Sequence, residues 1–495
     1  MKRFLKILNP LIANISAQGL LTALPFALII VSLFCIQQIF PISLLNDLKI
    51  WGDQTHLIVD FPAVFLFYLS LFTFITGSYL LIVKNNFQLT NAPLVLILIL
   101  IFTIGVFSYP IVYDTVYFFI GNYISSRLHI NPYLGTNQFV NDWNLPFIQI
   151  PIPHNYPYGP IWFIFTQALF TISRDNLIIY NLLIKLLIFC VIYYALTKVD
   201  SQLRSKLFTY IILNPLVLFF VVFSNHIEVL LALFFILTIM FVKKRLFVQS
   251  LALTIFTILI KPSSSILLLL VIPKYLLNIK ILPKNTPLIR NVVIIAISLS
   301  MYLLCNVLLM LMIPGLYEFI TNESLVSGLN GFIAFLWLWV SGDFLGINPY
   351  IFFKVILLMI LIILFVYSLL NYVKNKWTGF KTLFYLSIFN IYLLGIAVRP
   401  WYLIIPLILS VFVNHKVFLK STYATILTML GFISYTVGFY FTGNAGEHQL
   451  TYIISSLIFY ILPLGLFASE MFFSNRESDL PDSTTLDISN KQLNR

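Results

Sequence analysis

The sequence predicts an all-α, polytopic membrane protein with about 11 to 14 transmembrane helices and a long folded loop outside the cytoplasm. Two observations predict this class. Of 495 residues, 60% are hydrophobic and 9% are charged, whereas an ordinary soluble protein has roughly 45 to 50% and about 25%. The hydrophobic residues also form runs of about 20, separated by short polar or basic connectors, and a helix of that length spans a bilayer.

The first span is expected at about 18–40, behind the basic start Met1-Lys2-Arg3. This run is too long for a signal-peptide core and lacks a small-residue cleavage site, so we expect it to stay uncleaved. Further spans are expected at about 61–84, 91–113, 176–198, 207–223, 225–242, 291–313, 350–372, 381–398, 402–413, 421–441 and 450–470.

Three segments do not fit a simple span. The segment 246–273 is predicted to be a tight hairpin that turns at Lys261-Pro262. Segments 160–173 and 331–345 are too short to cross fully, so we expect half-spans or interfacial helices. We treat 1–475 as a single transmembrane domain, with 114–160 as an extracytoplasmic catalytic loop, and the polar residues 476–495 as a disordered cytoplasmic tail.

The basic residues indicate the orientation. The net charge of +12 does not point to nucleic acid here, because cytoplasmic loops of membrane proteins carry an excess of Lys and Arg. Both termini are therefore expected in the cytoplasm and the active site outside, in a multi-pass protein of the plasma or inner membrane. With this orientation the outward cations are Lys49, Arg127, Arg174, Lys261 and Arg399, while Lys185 and Lys354 lie within spans.

Asp114 is the first candidate for chemistry. It stands at the outer end of a predicted span, between apolar and aromatic neighbours. Loss of hydration there favours the protonated form of a carboxyl group, so Asp114 is a candidate proton acceptor. The alternative is an ordinary aspartate that caps the helix that follows.

Further polar motifs accompany Asp114 at predicted outer ends. They are Asn131-Pro132-Tyr133, Tyr156-Pro157-Tyr158-Gly159-Pro160, Asn214-Pro215, Asn225-His226-Ile227-Glu228, Lys261-Pro262 and Arg399-Pro400-Trp401-Tyr402. In this order, over about residues 95 to 410, they resemble membrane glycosyltransferases of the GT-C superfold. The resemblance is to polyprenol-phosphate-mannose-dependent mannosyltransferases of bacteria and to the catalytic subunit of the first mannosyltransferase of glycolipid-anchor synthesis.

The resemblance implies an inverting hexosyltransferase of cell-envelope glycolipid biosynthesis. It would move a sugar from a polyprenyl-phosphate donor to a glycan or glycolipid hydroxyl outside the cytoplasm. The family resemblance implies that this sugar is mannose. Asp114 would be the catalytic base. The donor phosphate would be held by Lys261, Arg399 and His226, with Lys354 near the top of its span, and the substrates by Glu228, Asn225, Tyr117, Tyr158, Trp401 and Tyr402.

Several of these residues also have structural explanations. Lys261 could extend its ammonium to the interface, Trp401 and Tyr402 could belong to an aromatic belt, and a helix cap would account for the pair at 226 and 228. On a helix, His226 and Glu228 would point about 200° apart. We therefore expect only one of them to face a pocket.

The same residues also bear on alternative functions and on cofactors. A lipid or glycan transporter or flippase would also be polytopic, but it usually shows symmetric halves; an O-antigen ligase or polymerase would carry its long loop late in the chain. No nucleotide-binding or serine-hydrolase motif is present. We expect no cofactor, no nucleic acid and no resident metal: one loop acid does not hold a divalent ion, and Cys35, Cys190 and Cys305 show no ligand spacing.

Overall fold

The structure, a computed structural model, is helical, with no strand among the residues it describes. Of the predicted elements, those at 18–40, 61–84, 91–113, 331–345 and 450–470, most of 207–223 and the tail 476–495 lie outside the described residues. The described residues are 114–133, 156, 158–174, 176–197, 207, 211, 214–217, 225–279, 287–313, 349–391, 400–413, 416–427 and 467.

Eleven α-helices are labelled here in chain order. Two short 3-10 helices, Pro262–Leu267 and Pro400–Leu403, and a helical turn at Pro215–Val217 lie between them. The α-helices are α1 Asp114–Leu128, α2 Pro160–Ser173, α3 Leu177–Thr197, α4 Glu228–Lys243, α5 Phe247–Ile260, α6 Leu268–Ile279, α7 Pro287–Met312, α8 Pro349–Val373, α9 Gly379–Phe389, α10 Ile404–Ser410 and α11 over 416–427.

The long apolar runs form helices where the sequence predicts them. Helices α3, α7 and α8 coincide within a few residues with the predicted spans at 176–198, 291–313 and 350–372. Two helical segments in the described part, Pro262–Ile279 and Pro287–Met312, are long and apolar enough to cross a membrane. At 1.5 Å per residue, α7 is about 39 Å long, and its apolar side chains are largely exposed. These features support association with a membrane.

Helices α4, α5 and α6 fold back and forth, which confirms the predicted hairpin at Lys261-Pro262. Lys261 has extended backbone angles (φ −143°, ψ 116°) between α5 and the 3-10 helix Pro262–Leu267. The turn brings the start of α5 next to the end of α6, where the rings of Phe247 and Tyr275 are 6.0 Å apart. Glu228 and Lys261 therefore lie at one end of this three-helix unit and the basic turn at Lys244-Arg245 at the other.

The basic end of the unit is tied to the α8–α9 connection. Lys274 Nζ donates to Asn375 Oδ1 at 2.5 Å and to the Tyr372 carbonyl at 3.3 Å, and it lies 4.4 Å from the centre of the Tyr372 ring. The basic residues of the stretches 274–290 and 374–381 are not among the outward cations of the predicted orientation, so both stretches are expected on the cytoplasmic side. Their contact is consistent with that prediction.

The predicted loop 114–160 differs from expectation in its first part. Residues Asp114–Leu128 form a 15-residue helix with Phe118, Ile120 and Ile124 buried. Helix α1 packs on α2 and α3, where the ring of Phe119 lies 5.2 Å from that of Phe170 and 5.5 Å from that of Tyr180. The apolar and aromatic side chains for this contact come from residues 118–124, FFIGNYI. The segment therefore joins the helical core instead of forming a separate loop.

Some other predicted elements are shorter in the structure. Segment 160–173 is a 14-residue helix, as the half-span prediction implies. The predicted span 402–413 contains the shorter helix α10, and α9 covers most of the described part of the predicted span 381–398, of which 392–398 lie outside the described residues. Helix α9 is nevertheless buried along its whole length, which places it at the centre of the described helices and beside the cavity described next.

Candidate functional site

A cavity of about 200 Å³ opens where α4, α9, α10 and the 3-10 helix after Lys261 meet. Its wall combines a charged pair and other polar side chains with an apolar surface. Such a mixture suits an amphipathic ligand, because orientation comes from a few polar groups and contact area from apolar ones. The lining residues are Glu228, Leu231, Phe235, Lys261, Ser263, Ile266, Ser387, Asn390, Ile391, Tyr402 and Ile405.

An ion pair between Glu228 and Lys261 forms the charged part of the wall. Lys261 Nζ donates to Glu228 Oε1; Glu228 is 1% exposed and Lys261 14%. A carboxylate buried this deeply requires a compensating charge. Glu228 is the first residue of α4, where the helix dipole also favours negative charge. The pair joins two residues that the sequence places 33 positions apart.

Two tyrosine rings also lie beside the Lys261 ammonium. Its Nζ lies 5.3 Å from the centre of the Tyr158 ring and 5.3 Å from that of Tyr402. An ammonium at this distance is attracted by the negative face of an aromatic ring. Lys261 is thus held by one carboxylate and two rings at the edge of the cavity, in a position from which it can also contact an anion.

His226 contacts the same carboxylate from outside the cavity lining. Its Nδ1 lies 3.6 Å from Glu228 Oε2, and the side chain is fully buried. Of the two residues only Glu228 lines the cavity, as the sequence predicted for one of the pair, but the helical spacing is not the reason, because His226 precedes α4. The angular spacing of a helix does not apply to a residue outside it.

The motifs around Tyr133 and Tyr158 contact one another. The Tyr156 amide donates to the Pro132 carbonyl at 3.1 Å, and the rings of Tyr133 and Tyr156 are 5.6 Å apart. The Tyr133 amide in turn donates to Asn131 Oδ1 at 3.0 Å, which shapes the turn after α1. Burial raises the pKa of the Tyr133 phenol above its usual range, so this group stays neutral. Both motifs serve to position Tyr158.

Gly159 allows the segment that carries Tyr158 to lie against the backbone before Lys261. The Gly159 amide donates to the Ile260 carbonyl at 2.9 Å. A Cβ atom at position 159 would lie 2.1 Å from the Leu259 carbonyl oxygen, well inside van der Waals contact. The glycine of the Tyr-x-x-Gly-Pro motif is therefore required for close backbone approach.

We expect Gly159→Ala to lower the free energy of unfolding by about 1 to 3 kcal/mol or more, because overpacking against a fixed backbone has that cost. It should also displace Tyr158 from Lys261 and reduce activity. Thermal unfolding in detergent measures the first effect and a transfer assay the second. Gly379→Ala is the matched control: its Cβ would meet side chains only, Ile239 at 3.2 Å and Leu270 at 3.4 Å. Equal behaviour of the two variants would contradict this role of Gly159.

The two asparagines of the middle motifs make local contacts. Asn225 has a left-handed backbone (φ 59°), is fully buried, and donates from Nδ2 to Asn181 Oδ1 on α3 at 2.6 Å. Asn214 Oδ1 accepts from the Leu216 amide at 2.9 Å, so Asn214-Pro215 starts the short helical turn. Substrate binding by Asn225 stays a prediction; the structure shows its contact with α3.

Asp114 begins α1, and this helix reaches the edge of the cavity through two aromatic residues. Phe118, one turn further along α1, packs edge-on against Tyr158 with ring centres 4.7 Å apart, and Tyr158 contacts Lys261. For Asp114, Tyr117, Lys354 and Trp401 the structure describes the backbone only, and Arg399 lies outside the described residues. The roles predicted for these five remain predictions.

Three polar residues that line the cavity were not predicted from the sequence. Ser263, Ser387 and Asn390 line the same cavity. Each stands within or beside an apolar run and carries no charge, and none belongs to a motif, so the sequence gives no signal for them. The described residues contain no cluster of three or more His, Cys, Asp and Glu side chains that could hold a metal ion.

The fold and site define a helical, membrane-associated protein with a cation beside an amphipathic cavity. Residues 41–276 match the family model described as alpha-(1->6)-mannopyranosyltransferase, N-terminal domain. This match confirms the resemblance inferred from the motifs and supports a mannosyltransferase of the GT-C type. It includes Asp114, Tyr158, His226, Glu228 and Lys261. No curated protein and no solved structure matches the chain.

Proposed function

We propose that the protein transfers a mannosyl group from a polyprenyl-phosphate donor to a glycan or glycolipid hydroxyl, with inversion, on the extracytoplasmic side of the membrane. The observation that carries this proposal is the position of the Lys261 ammonium. It is held by Glu228, Tyr158 and Tyr402 at the edge of a cavity whose wall is largely apolar. A phosphate needs a cation and a prenyl chain needs apolar contact. Both are present in one cavity.

In the proposed reaction the acceptor oxygen attacks C1 of the mannosyl group. The bond from C1 to the phosphate oxygen breaks, and the lipid phosphate leaves as an anion without needing a proton. The acceptor proton passes to a carboxylate base. If the product has the alpha-(1->6) linkage named in the family description, inversion requires a donor of β configuration.

We assign the two acids Asp114 and Glu228 to different tasks. Glu228 holds Lys261 and contacts His226, so we assign it to positioning the phosphate-binding cation. Asp114 begins α1 one turn before the residue that packs on Tyr158, and we assign it as the base. Lys261 binds the donor phosphate together with Arg399, while Tyr402 and Trp401 bind the substrates.

The sidedness of the site gives a separate prediction. With Glu228 and Lys261 outside, Asp142→Cys should react with an impermeant thiol reagent added to intact cells, and Lys244→Cys only after permeabilisation, because positive connectors stay in the cytoplasm. Lys244 lies in the turn between α4 and α5, at the end opposite to Lys261. A background without native cysteines serves as control. Reversed labelling would place the site in the cytoplasm.

A donor panel tests the reaction itself. Membranes that contain the protein are supplied with polyprenyl phosphates carrying mannose, glucose, galactose or arabinose, and sugar transfer to endogenous glycolipid is measured. We expect transfer from the mannosyl donor well above membranes that lack the protein. Absence of transfer from every lipid-phosphate donor would contradict the proposal.

A further inference from the structure

We infer that Asn390, Ser387 and Ser263 form the subsite that recognises the hydroxyl groups of the donor mannosyl ring, with Asn390 as the main specificity-determining residue. This inference rests on the proposed function. None of the three belongs to a motif in the sequence, and the three line the same cavity as the Glu228–Lys261 pair.

The position of the three residues follows from the connectivity of the donor. A sugar phosphate places its sugar ring one oxygen atom away from the phosphorus. If Lys261 holds the phosphate, the neighbouring part of a cavity of about 200 Å³ must contain the ring or the first prenyl unit. The apolar residues Leu231, Phe235 and Ile405 suit the prenyl unit, and the neutral polar residues suit the ring.

The chemistry of the side chains supports this division. Hydroxyl and carboxamide groups both donate and accept hydrogen bonds, as sugar hydroxyls do, whereas an ammonium only donates. Ser387 Oγ donates to the Phe384 carbonyl at 2.8 Å, which leaves its lone pairs to accept from a ligand. Asn390 follows α9 by one residue, three positions after Ser387, so both lie on one face of the helix end.

The end of α9 has the geometry to present this face. Helix α9 ends at Phe389, and residues 390–391 continue as a wider π-type turn. Such turns are frequent at functional sites because they displace side chains from the regular helical surface. Asn390 and Ile391 both line the cavity. Ser263, two residues after Lys261, provides a second hydroxyl beside that of Ser387, from the 3-10 helix Pro262–Leu267.

The test compares two donors that differ at one hydroxyl. The kcat/KM values for polyprenyl-phosphate mannose and polyprenyl-phosphate glucose are measured for the purified full-length protein and its variants, with extracted membrane glycolipid as the common acceptor. We expect Asn390→Ala to lower the mannose-to-glucose ratio by about tenfold or more, because a site built to bond a hydroxyl discriminates strongly against its epimer. Ser387→Ala, which removes one oxygen atom, should lower it by about threefold to tenfold.

Ser410→Ala is the matched control for Ser387→Ala. Ser410 is also buried and donates to the carbonyl three residues before it, Leu407, at 2.6 Å, but it lies outside the cavity lining. The mannose-to-glucose ratio of kcat/KM for Ser410→Ala should equal that of the wild type. Unchanged ratios in both Asn390→Ala and Ser387→Ala, with an active wild type, would overturn the subsite and leave the proposed function standing. A wild type inactive with every lipid-phosphate donor would instead overturn the proposed function and this inference with it.

Discussion

Asp114→Asn should lower turnover by about two to four orders of magnitude, the usual contribution of a general base. Asparagine keeps the size of the side chain and most of its hydrogen bonding but cannot accept a proton. The donor should still bind, because the phosphate is assigned to Lys261 and Arg399. Transfer rates at equal protein level, with donor binding measured separately, check both parts.

The same substitution separates the two interpretations of Asp114. Asparagine caps a helix as well as aspartate does, so a purely structural Asp114 would tolerate the change in stability and in activity. Asp142→Asn is the control, since it alters the next acid along the chain. Full activity of Asp114→Asn would remove the proposed base.

Lys261→Met should abolish use of the lipid-phosphate donor, with a loss of about a hundredfold or more in kcat/KM, as when one preorganised charge-stabilising group is removed. It should also destabilise the protein by about 3 to 5 kcal/mol, because Glu228 would remain buried without its partner. Thermal unfolding in detergent and donor titrations measure the two effects.

A double variant distinguishes binding from packing. Adding Glu228→Gln to Lys261→Met removes the uncompensated charge, so stability should largely return while transfer stays absent. Lys274→Met is the control, since Lys274 bonds to Asn375 at the other end of the helices. Recovery of transfer in the double variant would show that the ion pair acts only in folding.

Much of the helical framework could be predicted from the sequence because its signal is local. The apolar runs that became α3, α7 and α8 are long and nearly free of charge, and the turn at Lys261-Pro262 carries both a breaker and a cation. The motifs that contain Tyr158, Glu228 and Lys261 could be selected for the same reason. Charged or aromatic residues at the ends of apolar runs stand out.

The contacts within the site could not be predicted, because they depend on how distant helices pack. Nothing local indicates that Glu228 meets Lys261 or that Gly159 lies against Leu259. Only Glu228 of the pair with His226 lines the cavity, but the helical spacing used to predict this does not apply, because α4 starts after His226. Asn390 could not be predicted as a site residue, because an uncharged residue in an apolar run gives no signal until the cavity beside it is known.

Use of a lipid-phosphate donor is tested most directly with the purified protein in lipid nanodiscs, given extracted membrane glycolipid as acceptor and supplied in parallel with polyprenyl-phosphate mannose and with nucleoside-diphosphate mannose. We expect a mannosylated acceptor and one equivalent of free polyprenyl phosphate from the lipid donor, and no transfer from the nucleotide donor. Transfer from the nucleotide donor alone, or transport of the lipid across the nanodisc without any new glycosidic bond, would contradict the account.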